Sequence, residues 1–463
     1  MTRLYSPHAY DRSRLVGSYW ETTVDPDSRR HAALAEDTHA DFAVIGAGFT
    51  GLNAAKRLAE AHQADVRVLD AGDPGWGASG RNGGFCCRGG IKLGDPEIAR
   101  RFGIDEAKRL FHFQRTAIDH VAAILDDNGI DAQRHSHGET ALAHRAREFD
   151  AFAEEAAFLE RNFGVRAHIH PKEELGELGL AAQGFHGGMT VPIGFALNPM
   201  RYLTGLATAA ARAGARIHGR SPVTRVERAD GRWRLSTPQG SLTAKRLIVA
   251  TNGYTQDDLS PALAGRLLPA VSAIIVTRPI SAEDLARQGW TSDQMVYDTR
   301  HLLHYFRLMP DGRFLFGMRG ALDTAPRDEA WMRRSIERDF RAMFPAWRDV
   351  AIDHFWSGLI CLARDRSACI GPLGEAPDAW TALGYHGNGV SLGSYSGAIV
   401  ADLAAGAITP DAIPAPLRGP LRRFPFPALR KAYLRGAYLW YGLSDALPWS
   451  GSSNEHPDDG RQL

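Results

Sequence analysis

The chain has 463 residues, 44% of them apolar and 23% charged, enough to bury the cores of two to three domains. Its 54 Lys and Arg offset 53 Asp and Glu, and a net charge of +1 excludes a broad electrostatic footprint for nucleic acid. Four cysteines with no CxxC spacing exclude a disulfide framework and a structural zinc site, and no metal is expected. No run approaches 18 apolar residues, and the first 20 residues lack the apolar stretch of a secretory signal, so the expectation is a cytoplasmic chain.

Residues 1–40 read as a polar, irregular arm anchored by Trp20. At Asp41 the texture changes to a short apolar run through Gly46, followed by a Gly-rich turn. Leu52, Ala55, Leu58 and Ala59 then recur at helical spacing, and Val66–Asp70 reads as a second strand. This is a strand–helix–strand unit of about 30 residues, as a parallel crossover requires. Residues 72–94 form a long Gly-rich loop, and 96–163 read mainly as helix, including Ala107–Leu125 and Ala146–Phe163. Pro199–Ala213 is a further helix, with short strands from Arg216 to Ala250. Residues 265–320 read as β-rich, with strands at Val271–Arg278, Leu302–Leu308 and Arg313–Gly317. A helix is predicted at Asp328–Phe344, and a last strand, loop and helix run from Trp380 to Ala405.

Dinucleotide-type texture thus occupies 41–110, 190–255 and 356–415, with inserts at 111–189 and 256–355. The reading is an α/β (α+β) fold: one discontinuous Rossmann-like domain, a β-rich substrate domain, the arm 1–40 and a basic aromatic tail at 416–463.

Three motifs carry the chemistry. Gly46-Ala47-Gly48-Phe49-Thr50-Gly51 is a GxGxxG between strand and helix. Its glycines serve a tight turn, approach of backbone to a pyrophosphate, and close helix packing. The helix start adds free N–H groups and a positive dipole. Asp70, followed by Ala71, stands 19 residues after Gly51, where an acid accepts hydrogen bonds from ribose hydroxyls. The second stretch, Gly75 to Phe85, holds Ser79, Arg81, Asn82, Gly83 and Gly84. So many glycines let backbone lie against something flat and bulky, which suits a flavin ring better than NAD. The alternative for this stretch is a flexible surface loop. The third, Gly384-Tyr-His-Gly387-Asn388-Gly389-Val390-Ser-Leu392, opens a helix, and its N–H groups could face a flavin pyrimidine edge. The alternative there is an ordinary turn before a core helix.

With these motifs the chain resembles the FAD-dependent D-amino-acid-oxidase-like (DAO) superfamily. The resemblance is carried by FAVIGAGFTGLNAA (42–55), GWGASGRNGGF (75–85), LIVATNGYT (247–255), DGRFLFG (311–317) and GYHGNGVSL (384–392). GASGRNGG and the tail 422–443 are most similar to the gamma-glutamylputrescine oxidoreductase branch, with the pipecolate oxidase branch second.

The resemblance implies oxidation of a C–N bond in an amine or amino acid. Hydride passes to flavin N5, the imine hydrolyses to a carbonyl compound, and oxygen or another acceptor reoxidises the flavin. It places Gly46, Gly48, Gly51 and Asp70 at the ADP half of FAD, and Ser79, Arg81, Asn82, Gly83 and Gly84 beside the flavin. Val223, Ala250, Thr251 and Gly253 belong to the pyrophosphate side, and Gly387, Asn388, Gly389 and Val390 to the pyrimidine.

It also makes His304, Tyr305, Arg307 and Arg319 candidates for substrate contact, although adjacent strand residues cannot share a face. Where resembling sarcosine oxidases hold the substrate carboxylate with an Arg and a Lys, this chain has Cys87 and Ser391. That favours a substrate without a carboxylate next to the reacting carbon. Cys361 is out of register with their flavin-bearing cysteine, so non-covalent FAD is expected, and a Leu replaces their oxygen-activating lysine. Rival classes are an NAD(P)H-dependent flavin hydroxylase, for which no second GxGxxG exists, and a non-catalytic flavin carrier. The tail is expected to bury its aromatics and leave its Arg heads in water, with membrane contact as the lesser reading.

Overall fold

A computed structural model describes residues 4–13, 16–376 and 378–446; the end of the basic tail lies outside them. Two eight-stranded sheets organise these residues. The first runs in the order Cys369–Pro372, Ala379–Leu383, Ser241–Val249, Thr38–Ile45, Val66–Leu69, Arg216–His218, with the hairpin Arg225–Ala229 and Arg232–Ser236 added to Ser241–Val249. Its central pairs are parallel. The apolar run 42–45 is buried on both faces, as parallel strands covered by helices require. Helices Phe49–His62 and Ser391–Ala405 pack against each other on one side, with Ile104–Asp127 and Pro199–Arg212 closing the same core.

The second sheet runs Ile352–Ala363, Leu267–Thr277, Phe314–Ala321, His304–Leu308, Met295–Asp298, Glu139–Leu142, Gly187–Val191, His168–Pro171. It is antiparallel except where Met295–Asp298 meets Glu139–Leu142. Helix Pro326–Met343 covers one face over Trp290, Phe306, Phe314, Phe316, Phe340, Phe344 and Trp347, all fully buried. Each such ring contributes about 1.5–3 kcal/mol, so this face is the anchor of the sheet and the other is left for the site.

Several elements differ from the sequence reading. The stretch 96–163 is broken by the strand Glu139–Leu142, whose four residues are too few to show a period. Met295–Asp298 and the Ser281-capped helix Ala282–Gln288 are additional elements within 265–320. Strand Ile352–Ala363 pairs along its length with Leu267–Thr277, so the chain returns to the first sheet only at Cys369, not at 356. The arm carries three short 3-10 turns, and its Trp20, 1% exposed, donates from Nε1 to Asn82 O at 2.9 Å.

The described part of the tail meets the expectation at Arg422 and Arg423, which are exposed, and at Phe424 and Tyr438, which are half-buried, and departs from it elsewhere. Arg430 is buried, paired with Asp257 and donating to Leu267 O at 2.7 Å, while Phe426 and Trp440 are exposed. A guanidinium with carbonyl and carboxylate partners is affordable inside, and the helix Arg430–Ala446 needs only Leu434 and its neighbours to dock.

Candidate functional site

The GxGxxG turn has no room for side chains. Gly46 has φ +106°, and a Cβ there would lie 2.8 Å from Ala250 O. A Cβ on Gly51 would lie 1.8 Å from Gly46 O, so only glycine lets the helix approach the strand. Gly48 caps helix Phe49–His62 without a side-chain hydrogen bond, leaving the helix start open to a ligand. Asp70 accepts from Ala47 N–H at 2.6 Å and Gly72 N–H at 2.8 Å. Burial raises its pKa against the pull of those two N–H groups. Ser79 Oγ accepts from Phe49 N–H at 3.0 Å and ties the second Gly-rich stretch to the helix start.

These elements frame a cavity of about 410 Å³. It is lined by Gly46, Ala47, Gly48, Phe49, Thr50, Asp70, Ala71, Ser79, Asn82, Val223, Ala250, Thr251, Gly387, Gly389 and Val390 among the residues expected from sequence. Sequence reasoning missed Tyr10 and Arg12 of the arm, Trp76, Tyr254, Leu359 and Ile360, which line it as well. Trp76 and Tyr254 lie inside the stretches 75–85 and 247–255, and the tertiary fold brings in the other four. A helix start whose cap residue, Gly48, carries no side chain, glycines whose Cβ would collide, and a half-buried acid at the end of the second strand together fit a dinucleotide cofactor.

The other expected residues support the cradle without lining it. Arg81 donates to Trp76 O at 2.6 Å and Ser357 O at 3.2 Å, its guanidinium over the Trp76 ring. Gly83 lies under the Tyr305 ring, and a Cβ on Gly84 (φ +75°) would sit 2.0 Å from Leu197 O. Phe85 meets Tyr305 edge-on at 5.7 Å. Gly253 packs against strand Ile352–Ala363. Asn388 donates to Arg88 O at 3.1 Å.

The four substrate-side candidates divide. His304 does not face the cavity: it is buried on the Phe316 side, bonded to Asp298 at 2.8 Å and Asp339 at 3.4 Å. Burial alone would lower its pKa, but the two carboxylates outweigh it and hold the imidazole up at about 9. Arg307 is also a structural clamp rather than a substrate contact. It is 1% exposed and donates to Gly83 O at 2.9 Å and Leu197 O at 2.8 Å, with His135 Nε2 at 2.6 Å. Tyr305 and Arg319 do face the first domain. Tyr305 Oη lies 3.1 Å from Ser272 Oγ, and Arg319 Nη2 donates to His386 O at 3.2 Å.

The last Gly-rich loop is held from behind. His386 Nε2 accepts from Ala363 N–H at 3.3 Å, and burial beside Lys92 and Arg319 lowers its pKa to about 3, so it is neutral. Cys361 lines the cavity as a buried free thiol, its pKa raised by burial to about 12. A thiol so held is a poor nucleophile for flavin attachment. Ser391 Oγ donates to Cys87 O at 2.6 Å, so the two positions that replace cationic anchors touch each other. No motif marks Lys92, whose charge is felt at His386 together with that of Arg319.

A Gly-rich βαβ cradle facing a β-sheet that roofs it is the arrangement of a flavin-dependent oxidoreductase. Residues 41–403 match the family model "DAO: FAD dependent oxidoreductase", and the chain belongs to that family. It is therefore an FAD-dependent oxidoreductase. It is 31% identical over 434 residues to "Probable oxidoreductase OrdL" of Rhizobium meliloti (strain 1021), covering 92% of this chain and 97% of that one. It is 30% identical over 417 residues to "Gamma-glutamylputrescine oxidoreductase" of Escherichia coli (strain K12), covering 89% and 95%. The fold is similar to the crystal structure of glycine oxidase from Geobacillus kaustophilus, with a TM-score of 0.68 at 20% identity over 84% of this chain and 99% of that one.

Proposed function

We propose that the chain oxidises the C–N bond of an ω-aminoalkyl amide resembling gamma-glutamylputrescine. The observation that carries this reading is the near end-to-end match to the Escherichia coli gamma-glutamylputrescine oxidoreductase. The serine and cysteine at 391 and 87 support it, since neither can hold a carboxylate beside the reacting carbon as a cation would. The alternative, a secondary amino acid such as pipecolate, needs such an anchor.

In this reading the Gly48 N–H and the positive end of helix Phe49–His62 hold the pyrophosphate, Asp70 the ribose hydroxyls, and Gly387–Val390 the flavin pyrimidine edge. FAD, when bound, supplies the two-electron acceptor for hydride from the amine-bearing carbon. The chain's own residues position and enclose. Arg307 locks Gly83 and Leu197, Tyr305 roofs Gly83, and the buried aromatic face behind the sheet keeps that roof rigid. No helix among the described residues is long and apolar enough to cross a membrane. All four cysteines are free and buried, which suits the reducing cytoplasm we assign it.

The test is anaerobic bleaching of the flavin band. Faster bleaching by gamma-glutamylputrescine than by pipecolate is the expected result; clear preference for pipecolate overturns the substrate. Admitting air then separates oxidase from dehydrogenase.

A further inference from the structure

One wall of the cofactor cavity belongs to chain outside the family match, which covers residues 41–403. Tyr10 and Arg12 of the arm line the cavity together with Asp70 and Ala71. Arg12 donates from Nη1 to Ala71 O at 2.9 Å, which sets its guanidinium at the end of the cavity where Asp70 stands. Tyr10, buried, ends the 3-10 turn Pro7–Tyr10. A guanidinium has five N–H donors, and Ala71 O takes one of them. An aromatic ring and a guanidinium with donors to spare are groups that stack on a purine and pair with a phosphate.

The arm is not anchored on the domain it covers. Tyr5 is buried and donates to Pro269 O on the second sheet. Ser6 N–H donates to Asp323 Oδ1 at 3.1 Å, and His8 Nε2 lies 3.1 Å from Glu329 Oε2 on the helix that covers that sheet. Between Ser6 and Arg12 the chain therefore crosses from the second sheet to the cofactor cavity.

The first two residues of helix Arg430–Ala446, which also lies outside the family match, fasten this crossing. Lys431 Nζ donates to Asp323 Oδ2 at 2.6 Å and stands 5.3 Å from the centre of the Tyr5 ring. Asp323 is thus shared between the arm and the C-terminal helix. Arg430 pairs with Asp257, whose neighbours Gln256 and Asp258 line the same cavity. Burial of Tyr5 and Ala9 against the second core is enough to dock the arm. It does not account for a guanidinium placed at the cavity end, nor for a carboxylate that both chain ends share.

We propose that the arm is a strap over the adenosine half of the cofactor: Tyr10 and Arg12 contact the nucleotide, and Lys431 holds the strap shut through Asp323. FAD enters and leaves when the segment from Ser6 to Arg12 lifts. The inference rests on the ribose lying at Asp70.

The experiment measures how fast the holoenzyme releases FAD on dilution, followed by the rise in flavin fluorescence, and needs no substrate. Arg12→Ala removes an exposed side chain and is expected to speed release about tenfold, with Arg12→Lys intermediate. Lys431 is not among the residues that line the cavity, yet Lys431→Met should speed release about threefold. Two changes acting on one strap do not multiply, so the double variant stays within about twofold of Arg12→Ala; independent effects would give about thirtyfold. Urea midpoints of the apoproteins should match the native one. Release unchanged in Arg12→Ala, multiplied effects in the double variant, or release that only follows a lowered urea midpoint overturns the strap. Asp70→Asn separates the strap from the cofactor placement beneath it. If Asp70→Asn speeds release and Arg12→Ala does not, the strap falls and the ribose placement stands. If neither does, both fall.

Discussion

The two sides of the cleft are built by different means. The cofactor side is shaped by backbone: Gly46 and Gly51 leave no room for Cβ atoms, and the helix begins at a glycine without a side chain. The sheet side is shaped by side chains: Arg307, Tyr305, Arg319 and His304 reach across strands to partners 33 to 224 residues away. Backbone geometry tolerates one residue type, so it leaves a sequence signature. Side-chain geometry depends on which face each strand turns inward, which sequence spacing alone does not specify.

The contrast can be broken most directly at Gly51. Its Cβ would overlap a carbonyl oxygen, so Gly51→Val should displace the helix and leave flavin content below about a tenth of native. Native flavin-to-protein absorbance in the purified variant would refute the backbone account.

On the sheet side the largest effect belongs to Arg307. Arg307→Met strands the Gly83 and Leu197 carbonyls in the interior. It should cost about 3 kcal/mol in urea unfolding while turnover of correctly folded enzyme survives. Abolished turnover in a stably folded variant would restore Arg307 as a substrate contact.

His304 sharpens the comparison through pH. Its folded pKa of about 9 exceeds the ordinary value, so the imidazolium's contribution is complete below about pH 6.5 and is lost as pH rises through 9. Stability should fall by on the order of 2 kcal/mol between pH 7 and 10, and His304→Gln should flatten that fall. An unchanged slope in the variant would show that other groups carry it.

The smallest effect is expected at Asp70. Asp70→Asn keeps the shape but introduces a donor opposite Ala47 N–H, so FAD should bind about tenfold more weakly. Titration of the apoprotein measures it, and unaltered affinity would remove Asp70 from the cofactor site.

The same contrast explains what could be read in advance. The α/β class and the motif at 46–51 were legible because the turn demands glycine and the strand and helix bear distinct periods. So was helix Ala146–Phe163, whose observed bounds match those expected. Strand Ile352–Ala363 was not, because a run of mixed apolar residues states no face. His304 and Arg307 were candidates for substrate contact because the resemblance places their strand over the substrate cavity. Asp298, Asp339 and His135, which satisfy them instead, lie on other segments.

The pairing of Thr38–Ile45 with Ser241–Val249 has a consequence for how the molecule is made. The central strand of the first sheet leaves the ribosome roughly 200 residues before its neighbour, a delay of about 10–40 s at ordinary elongation rates. Through that interval one ladder edge of the cofactor domain stands open, with only Val66–Leu69 to cover the other. Synthesis therefore exposes the nucleotide cradle half-built, and stalled nascent chains should be cleaved there by protease until residue 249 has emerged.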